Sequence, residues 1–399
     1  MFVKYTEQRF LSLVVALHMT AFVTLVWILK RFETSFSLQP RNSSVHFSFS
    51  SLENHAHSPI EVHDGPLKKI LLWNDLYGKL DYGFGTGQEP FQAAGCRVDA
   101  CMITIDRNLF PLEELDALVW HTRSRDVSLP EKRSPHTRYV LVARESPGHN
   151  YSRFLEFVRE SRLTFNWSFS YTADSDIRYP YGQVVKREKP MQLPELTRNY
   201  AEGKTKLAAW FVSNCNTESK REKLVTSLQK WITIDVYGKC GSFRCAPTNW
   251  RECHALLNTT YKFYLSFENS LCRDYVTEKF YTPLQLDVVP VVYGYANYAH
   301  FAPPHAFIDA RAFSTAKELA EYLLYLDKND TAYNEYFLWK PYYRQLTQHD
   351  LKAQAFCDLC ERLHADNDPK THDIGSWFDE GTQCLDLDEP GIKKLISEE

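Results

Sequence analysis

Residues 263–281 read FYLSFENSLCRDYVTEKFY. The first five residues are apolar apart from Ser266, the pattern of a strand buried in a sheet. The run then turns into Glu268-Asn269-Ser270 and a segment carrying Asp274, Tyr275, Glu278 and Lys279. A helix through Glu278 and Lys279 and a second strand-like run, DVVPVVYG (287–294), come next. Strand, polar connection, helix and strand is the repeating unit of an open α/β sheet, where ligands sit beyond the strand ends.

Upstream, the same alternation gives KLAAWFVSN (206–214), a charged helix TESKREKLVTSLQKW (217–231) and ITIDVYG (232–238). A helix from about Thr315 to Asp327 closes this half. In the first half, KKILLW (68–73), DALVWH (116–121) and RYVLVARES (138–146) read as strands, and YSRFLEFVRESR (151–162) as a helix. The glycines of DYGFGTG (81–87) lack a G-x-x-x-x-G-K-[ST] pattern and read as a turn. The Pro- and charge-rich stretch around KREKPMQLPEL (186–196) reads as a linker. The expected fold class is α/β, with two Rossmann-like domains facing a cleft: 67–185 and 207–345, joined by 186–206. Residues 346–399 read as a polar C-terminal tail.

The N-terminus bears on the compartment. Phe10 to Leu29 is 20 residues without a formal charge, long enough to span a bilayer. It follows a tail of residues 1–9 and precedes a Ser-, His- and Asn-rich stem, 30–66. The alternative is a cleaved signal peptide, whose apolar region is usually shorter and ends in a small-x-small site that is not evident here. Sequons at Asn42, Asn150, Asn166, Asn258 and Asn329 all follow the apolar segment, as do all ten cysteines. Both features suit a body in the secretory pathway. Cys357 and Cys360 form a C-x-x-C without a second metal-ligand pair and read as a short-range disulfide. A net charge of -4 argues against a nucleic-acid partner.

For the chemistry, Glu278 can accept hydrogen bonds from ribose hydroxyls and Lys279 can face a diphosphate. The bland alternative is an ordinary solvated Glu-Lys pair. Asn269 and Tyr275 add directional contacts. Asp174 and Asp176 form a D-x-D that elsewhere holds a divalent metal, but such triplets are common on surfaces. Glu145, at a strand end, suits a general base or a carboxylate paired with Arg144. His121 and Arg123 are similarly placed.

FYLSFENS…DYVTEKFY…VVPVVYG resembles the α1,3-fucosyltransferases, Golgi type II membrane glycoproteins. Agreement extends to FVSN (211–214), VYG (236–238), DSDIRYPYG (174–182), ESPGHN (145–150) and the W-H-x-R region. The resemblance implies a GT-B fold and inverting transfer of L-fucose from GDP-fucose to a GlcNAc hydroxyl of a glycoprotein glycan, on the N-glycan core or a LacNAc or LacdiNAc antenna. It implies that Asn269, Tyr275, Glu278, Lys279 and Arg221 contact GDP-fucose, that Glu145 is the base, and that no metal or other cofactor is required. It also implies a single span in the Golgi membrane with a lumenal body. The alternative is a catalytically lapsed relative that binds glycans. The chain departs from the family pattern at Thr172 and Ala173, where basic residues are usual, and at Pro283, Leu286 and Asp287.

Overall fold

The computed structural model describes residues 65–149, 164–191, 198–244, 250–365, 377–378 and 383–397. These all fall in one compact unit, His57–Glu399. The apolar segment 10–29, Asn42, Asn150 and the helix expected at 151–162 lie outside the described residues. Among the described residues, no helix is long and apolar enough to cross a membrane.

The first half is a six-stranded, wholly parallel sheet. Its strands are β1 (Lys68–Leu72), β2 (Cys101–Thr104), β3 (Ala117–His121), β4 (Arg138–Ala143), β5 (Trp167–Ser170) and β6 (Ile177–Arg178), with a short helix α1 (Glu89–Ala93) between β1 and β2. Strand order is β2-β1-β3-β4-β5-β6. After a short β7 (Val184–Lys186), the second half builds a parallel sheet from β8 (Lys206–Phe211), β9 (Ile234–Tyr237), β10 (Tyr261–Phe267), β11 (Val289–Tyr293) and β12 (Ile308–Asp309). Its order, β12-β11-β10-β8-β9, repeats the path of the first sheet. Each chain path starts in mid-sheet, steps once to one side and then returns to build the other. Strand order therefore reverses between β1 and β3 and between β8 and β10, and crevices open at such reversals.

Local sequence explains these elements. All seven residues of β10 are buried, as a central parallel strand covered on both faces requires. The second sheet carries α2 (Arg221–Leu228), α3 (Trp250–Thr260), α4 (Glu278–Leu284), α5 (Ala316–Lys328) and α6 (Asp330–Asn334). The α5 helix begins where the Thr315 hydroxyl accepts from Glu318 N at 3.1 Å, a standard N-cap. The α2 helix starts four residues later than the charge pattern suggested. Ser219 N is bonded to Asn269 O at 3.0 Å, and Lys220 adopts a left-handed φ of 52°. Residues 214–220 are thereby a loop across the end of β10 rather than a first helical turn.

The C-terminal region corrects the expectation of a polar tail. After β13 (Tyr343–Gln345), antiparallel to β7, comes α7 (Gln348–Ala365), which lays Leu351, Ala355, Phe356, Leu359 and Leu363 into the core of the first sheet. The last helix, α8 (Pro390–Ile396), packs Ile392 and Leu395 into the core of the second. The expected Cys357–Cys360 bridge is also overturned. Cys357 bonds Cys96 and Cys360 bonds Cys101. Residues three apart on a helix hold their Cβ atoms about 5–6 Å apart, too far for a bridge. Facing the same side, the two sulfurs instead staple α7 to the chain around β2. Further disulfides join Cys215 to Cys240 and Cys272 to Cys384.

Candidate active site

The reversal between β8 and β10 opens a cavity of about 370 Å³. The end of β8 contributes Phe211, and the residues after it add Ser213 and Asn214. The segment after β10 contributes Asn269 and Tyr275, while α4 contributes Glu278, Lys279 and Thr282. Glu145, at the end of β4 in the other sheet, lines the same cavity. All six residues expected to carry donor binding and base chemistry, namely Glu145, Arg221, Asn269, Tyr275, Glu278 and Lys279, line this one cavity.

A buried carboxylate organises the wall that the second sheet supplies. Glu268 is 0% exposed and accepts from Thr277 N at 2.8 Å and from Thr277 Oγ1 at 2.9 Å. Thr277 in turn caps α4. Lys279 Nζ lies 3.4 Å from Glu268, 3.2 Å from Glu278 and 3.0 Å from Thr277 Oγ1. Burial works to lower the Lys279 ammonium, but Glu268 and Glu278 outweigh it and hold it above the ordinary lysine range. The Glu278 side chain is more than half exposed; desolvation on its cavity side works to raise the carboxyl, and Lys279 holds it below its usual value. Burial raises the Glu268 carboxyl. The result is a fixed cation with a carboxylate beside it at the mouth of a helix.

Arg221 is 3% exposed, and its guanidinium donates to Phe267 O at 2.7 Å and to Asn214 O at 3.3 Å. Burial pulls it down from the usual arginine value, and Glu268 counteracts this. Its Nε is buried without a hydrogen-bond partner. So is Asn269 Oδ1, although the residue is only 9% exposed. Buried polar atoms are ordinarily satisfied, and leaving one unmet costs about 1–3 kcal/mol. In a cavity wall, such atoms are what a polar ligand completes.

On the opposite wall, Glu145 Oε2 accepts from the Tyr275 hydroxyl at 2.9 Å, and Oε1 accepts from the Tyr77 hydroxyl at 3.0 Å. Tyr275 is buried against Tyr171, with ring centroids 5.2 Å apart. The docking of the sheets fixes this geometry. Ser146 Oγ donates to Ser270 Oγ at 2.8 Å, and Ala173 N donates to Asp274 Oδ2 at 3.1 Å. Arg273 meets Asp174 at 2.7 Å, and Asp176 pairs with Arg362 at 2.8 Å. The D-x-D carboxylates are thus each taken up by an arginine.

Two family models match this chain: "Fucosyltransferase, N-terminal" over residues 65–182 and "Glycosyltransferase family 10 (fucosyltransferase) C-term" over 201–377. The chain belongs to the family 10 fucosyltransferases. Alpha-(1,3)-fucosyltransferase C of Drosophila melanogaster is 37% identical over 82% of this chain and 81% of its own length. A Homo sapiens 4-galactosyl-N-acetylglucosaminide 3-alpha-L-fucosyltransferase is also 37% identical, over 70% of this chain and 75% of its own. A crystal structure of an alpha1,3-fucosyltransferase with GDP-fucose shares the fold, with a TM-score of 0.50 at 17% identity, covering 76% of this chain and 92% of that one.

In this fucosyltransferase, three further residues line the cavity that were not singled out as site candidates: Tyr181 and Tyr264, which lie inside the quoted motifs, and His254, which lies outside them. Burial lowers the His254 imidazole and raises the Tyr264 phenol. Two departures from the family pattern find local partners. Asp287 pairs with Lys340 at 2.9 Å and Arg198 at 2.7 Å, and Thr172 Oγ1 meets Ser175 Oγ at 2.8 Å. Of the sequons, Asn166 is 6% exposed, with its side-chain oxygen accepting from Tyr139 N at 2.9 Å. Asn258 accepts from Asp287 N at 2.7 Å, and Asn329 caps α6.

Proposed function

We propose that this fucosyltransferase is a GT-B-type α1,3-fucosyltransferase. It transfers L-fucose from GDP-fucose to a GlcNAc hydroxyl of a glycoprotein glycan, with inversion at the anomeric carbon. The observation that carries the reading is the sharing of one cavity by a carboxylate from the first sheet and a cation-rich, partly unsatisfied wall from the second. The names of the relatives that cover most of this chain support the α1,3 linkage and the GlcNAc-type acceptor.

The chemistry follows from the residues. Glu145 takes the proton of the acceptor hydroxyl as that oxygen bonds to the anomeric carbon and the bond to the diphosphate breaks. Attack from the face opposite the leaving group inverts the centre. Charge gathers on the departing GDP, where Arg221 and Lys279 stand as preorganised cations. With those two cations available, transfer is expected to persist in EDTA, without a divalent metal. Glu278 accepts from ribose hydroxyls, and Asn269 Oδ1 takes a donor from the nucleotide sugar. The Golgi membrane, entered through the 10–29 segment with the body lumenal, is the compartment this function requires.

The test is fucose transfer to core-type and antenna-type GlcNAc acceptors, with the linkage read by mass spectrometry. Glu145→Gln is expected to cut turnover by at least ~100-fold while leaving GDP affinity intact. Robust transfer by that variant would remove Glu145 from the base role. No turnover by the parent on any acceptor would point to a glycan-binding relative instead.

A further inference from the structure

We propose that Tyr77 is a positioning residue for the base, holding one oxygen of Glu145 while Tyr275 holds the other; this rests on the reading of Glu145 as the base. The observation begins in the backbone. Leu76 N donates to Lys79 O at 3.0 Å, and Lys79 N donates to Leu76 O at 3.1 Å, closing a two-residue turn. Both central residues are left-handed, Tyr77 at φ 51° and Gly78 at φ 85°. That is the signature of a type I′ turn, which favours Asn, Asp or Gly at its first central position. A tyrosine there is strained, because its Cβ crowds the following carbonyl.

Packing does not account for the strain, since Tyr77 is 54% exposed. What the turn achieves is aim. Asp75 fixes it from below, with Oδ2 accepting from Gly78 N and Oδ1 from Ser124 Oγ, each at 2.5 Å. The His121 ring meets the phenol ring edge-on, with centroids 4.8 Å apart. The hydroxyl then reaches Glu145 Oε1 at 3.0 Å. Although the residue as a whole is half exposed, desolvation around its hydroxyl and the Glu145 carboxylate beside it raise the Tyr77 phenol, so it remains a donor throughout the working pH range. Held at both oxygens, the carboxylate loses rotamer freedom, and a carboxylate oxygen that accepts one hydrogen bond has capacity to accept a second. Backbone strain placed beside reacting groups is a known means of preorganisation.

Kinetics of the full chain over a range of pH test this. Removing a donor to a carboxylate favours its protonated form. Tyr77→Phe is therefore expected to move the acidic limb of kcat/KM upward by roughly half a pH unit or more and to lower kcat ~3–10-fold. GDP-fucose affinity, measured by calorimetry, is expected to stay unchanged. Tyr77→Gly suits the left-handed backbone, so it is expected to melt no lower than the parent while showing the same kinetic shift. A limb that stays in place in both variants, with Glu145→Gln inactive, would overturn the positioning role and leave the base assignment standing. Full transfer by Glu145→Gln would instead overturn the base assignment, and this inference with it.

Discussion

The His121 ring is 1% exposed, with Nδ1 against Asp75 O at 3.0 Å and Nε2 without a polar partner. A carbonyl only accepts, so Nδ1 carries the proton of a neutral ring. Burial depresses the imidazole to about 4 from its ordinary 6.5, and the Asp75 groups that favour the cation do not make up the difference. Between these values the unfolded chain binds a proton that the folded chain does not. Stability is accordingly full above pH 6.5 and falls as pH drops to about 4. The loss is on the order of 3 kcal/mol, at about 1.4 kcal/mol per unit. Urea unfolding of the parent and of His121→Gln across that window checks it, with the variant expected to show the flatter profile. At this same scale, Asn269, Tyr275, Glu278 and Lys279 were legible as a group because they lie in one short stretch. Tyr77 was not, because a positive φ and its reach to Glu145 leave no trace in composition or periodicity.

Among the elements, α7 shows how polar decoration conceals a core helix. Leu351, Ala355, Leu359 and Leu363 recur every four residues, which is a helical stripe, yet Gln, His, Asp, Lys and Arg surround them. That stripe was the available signal, and the charge between its members obscured it. Phe356 is the hub of its packing. Its ring stacks on Phe84 at 4.5 Å and meets Phe169 at 5.7 Å and Tyr82 at 6.4 Å. Phe356→Ala is expected to cost about 3–5 kcal/mol through lost burial and the cavity left behind. Denaturant unfolding gives that number directly. Buried strands were easier to read. Runs such as YKFYLSF and RYVLVA have no alternative to a sheet interior once flanked by turn residues.

For the whole molecule, the region expected as a tail closes both cores. The bonds from α7 to Cys96 and Cys101 tie residues separated in sequence by 261 and 259 positions. Cross-links over such long loops restrict the unfolded chain strongly. The double variant Cys101→Ala/Cys360→Ala is expected to lose about 2–5 kcal/mol, read from the unfolding midpoint at constant slope.

By itself, the sequence determined the α/β class and set Asn269, Tyr275, Glu278 and Lys279 in one short stretch, because both are written in residues close together along the chain; the donor role expected of those four came from the family resemblance. The tertiary structure alone decided the cysteine pairing, the burial of Asn166, and the meeting of Glu145 with Tyr77 and Tyr275. Those depend on how two separately wound sheets dock. Docking is set by contacts such as Ser146 to Ser270 and Asp174 to Arg273, between residues about a hundred or more positions apart. Local periodicity describes which face of a strand or helix is buried, but not which distant side chain will meet it there.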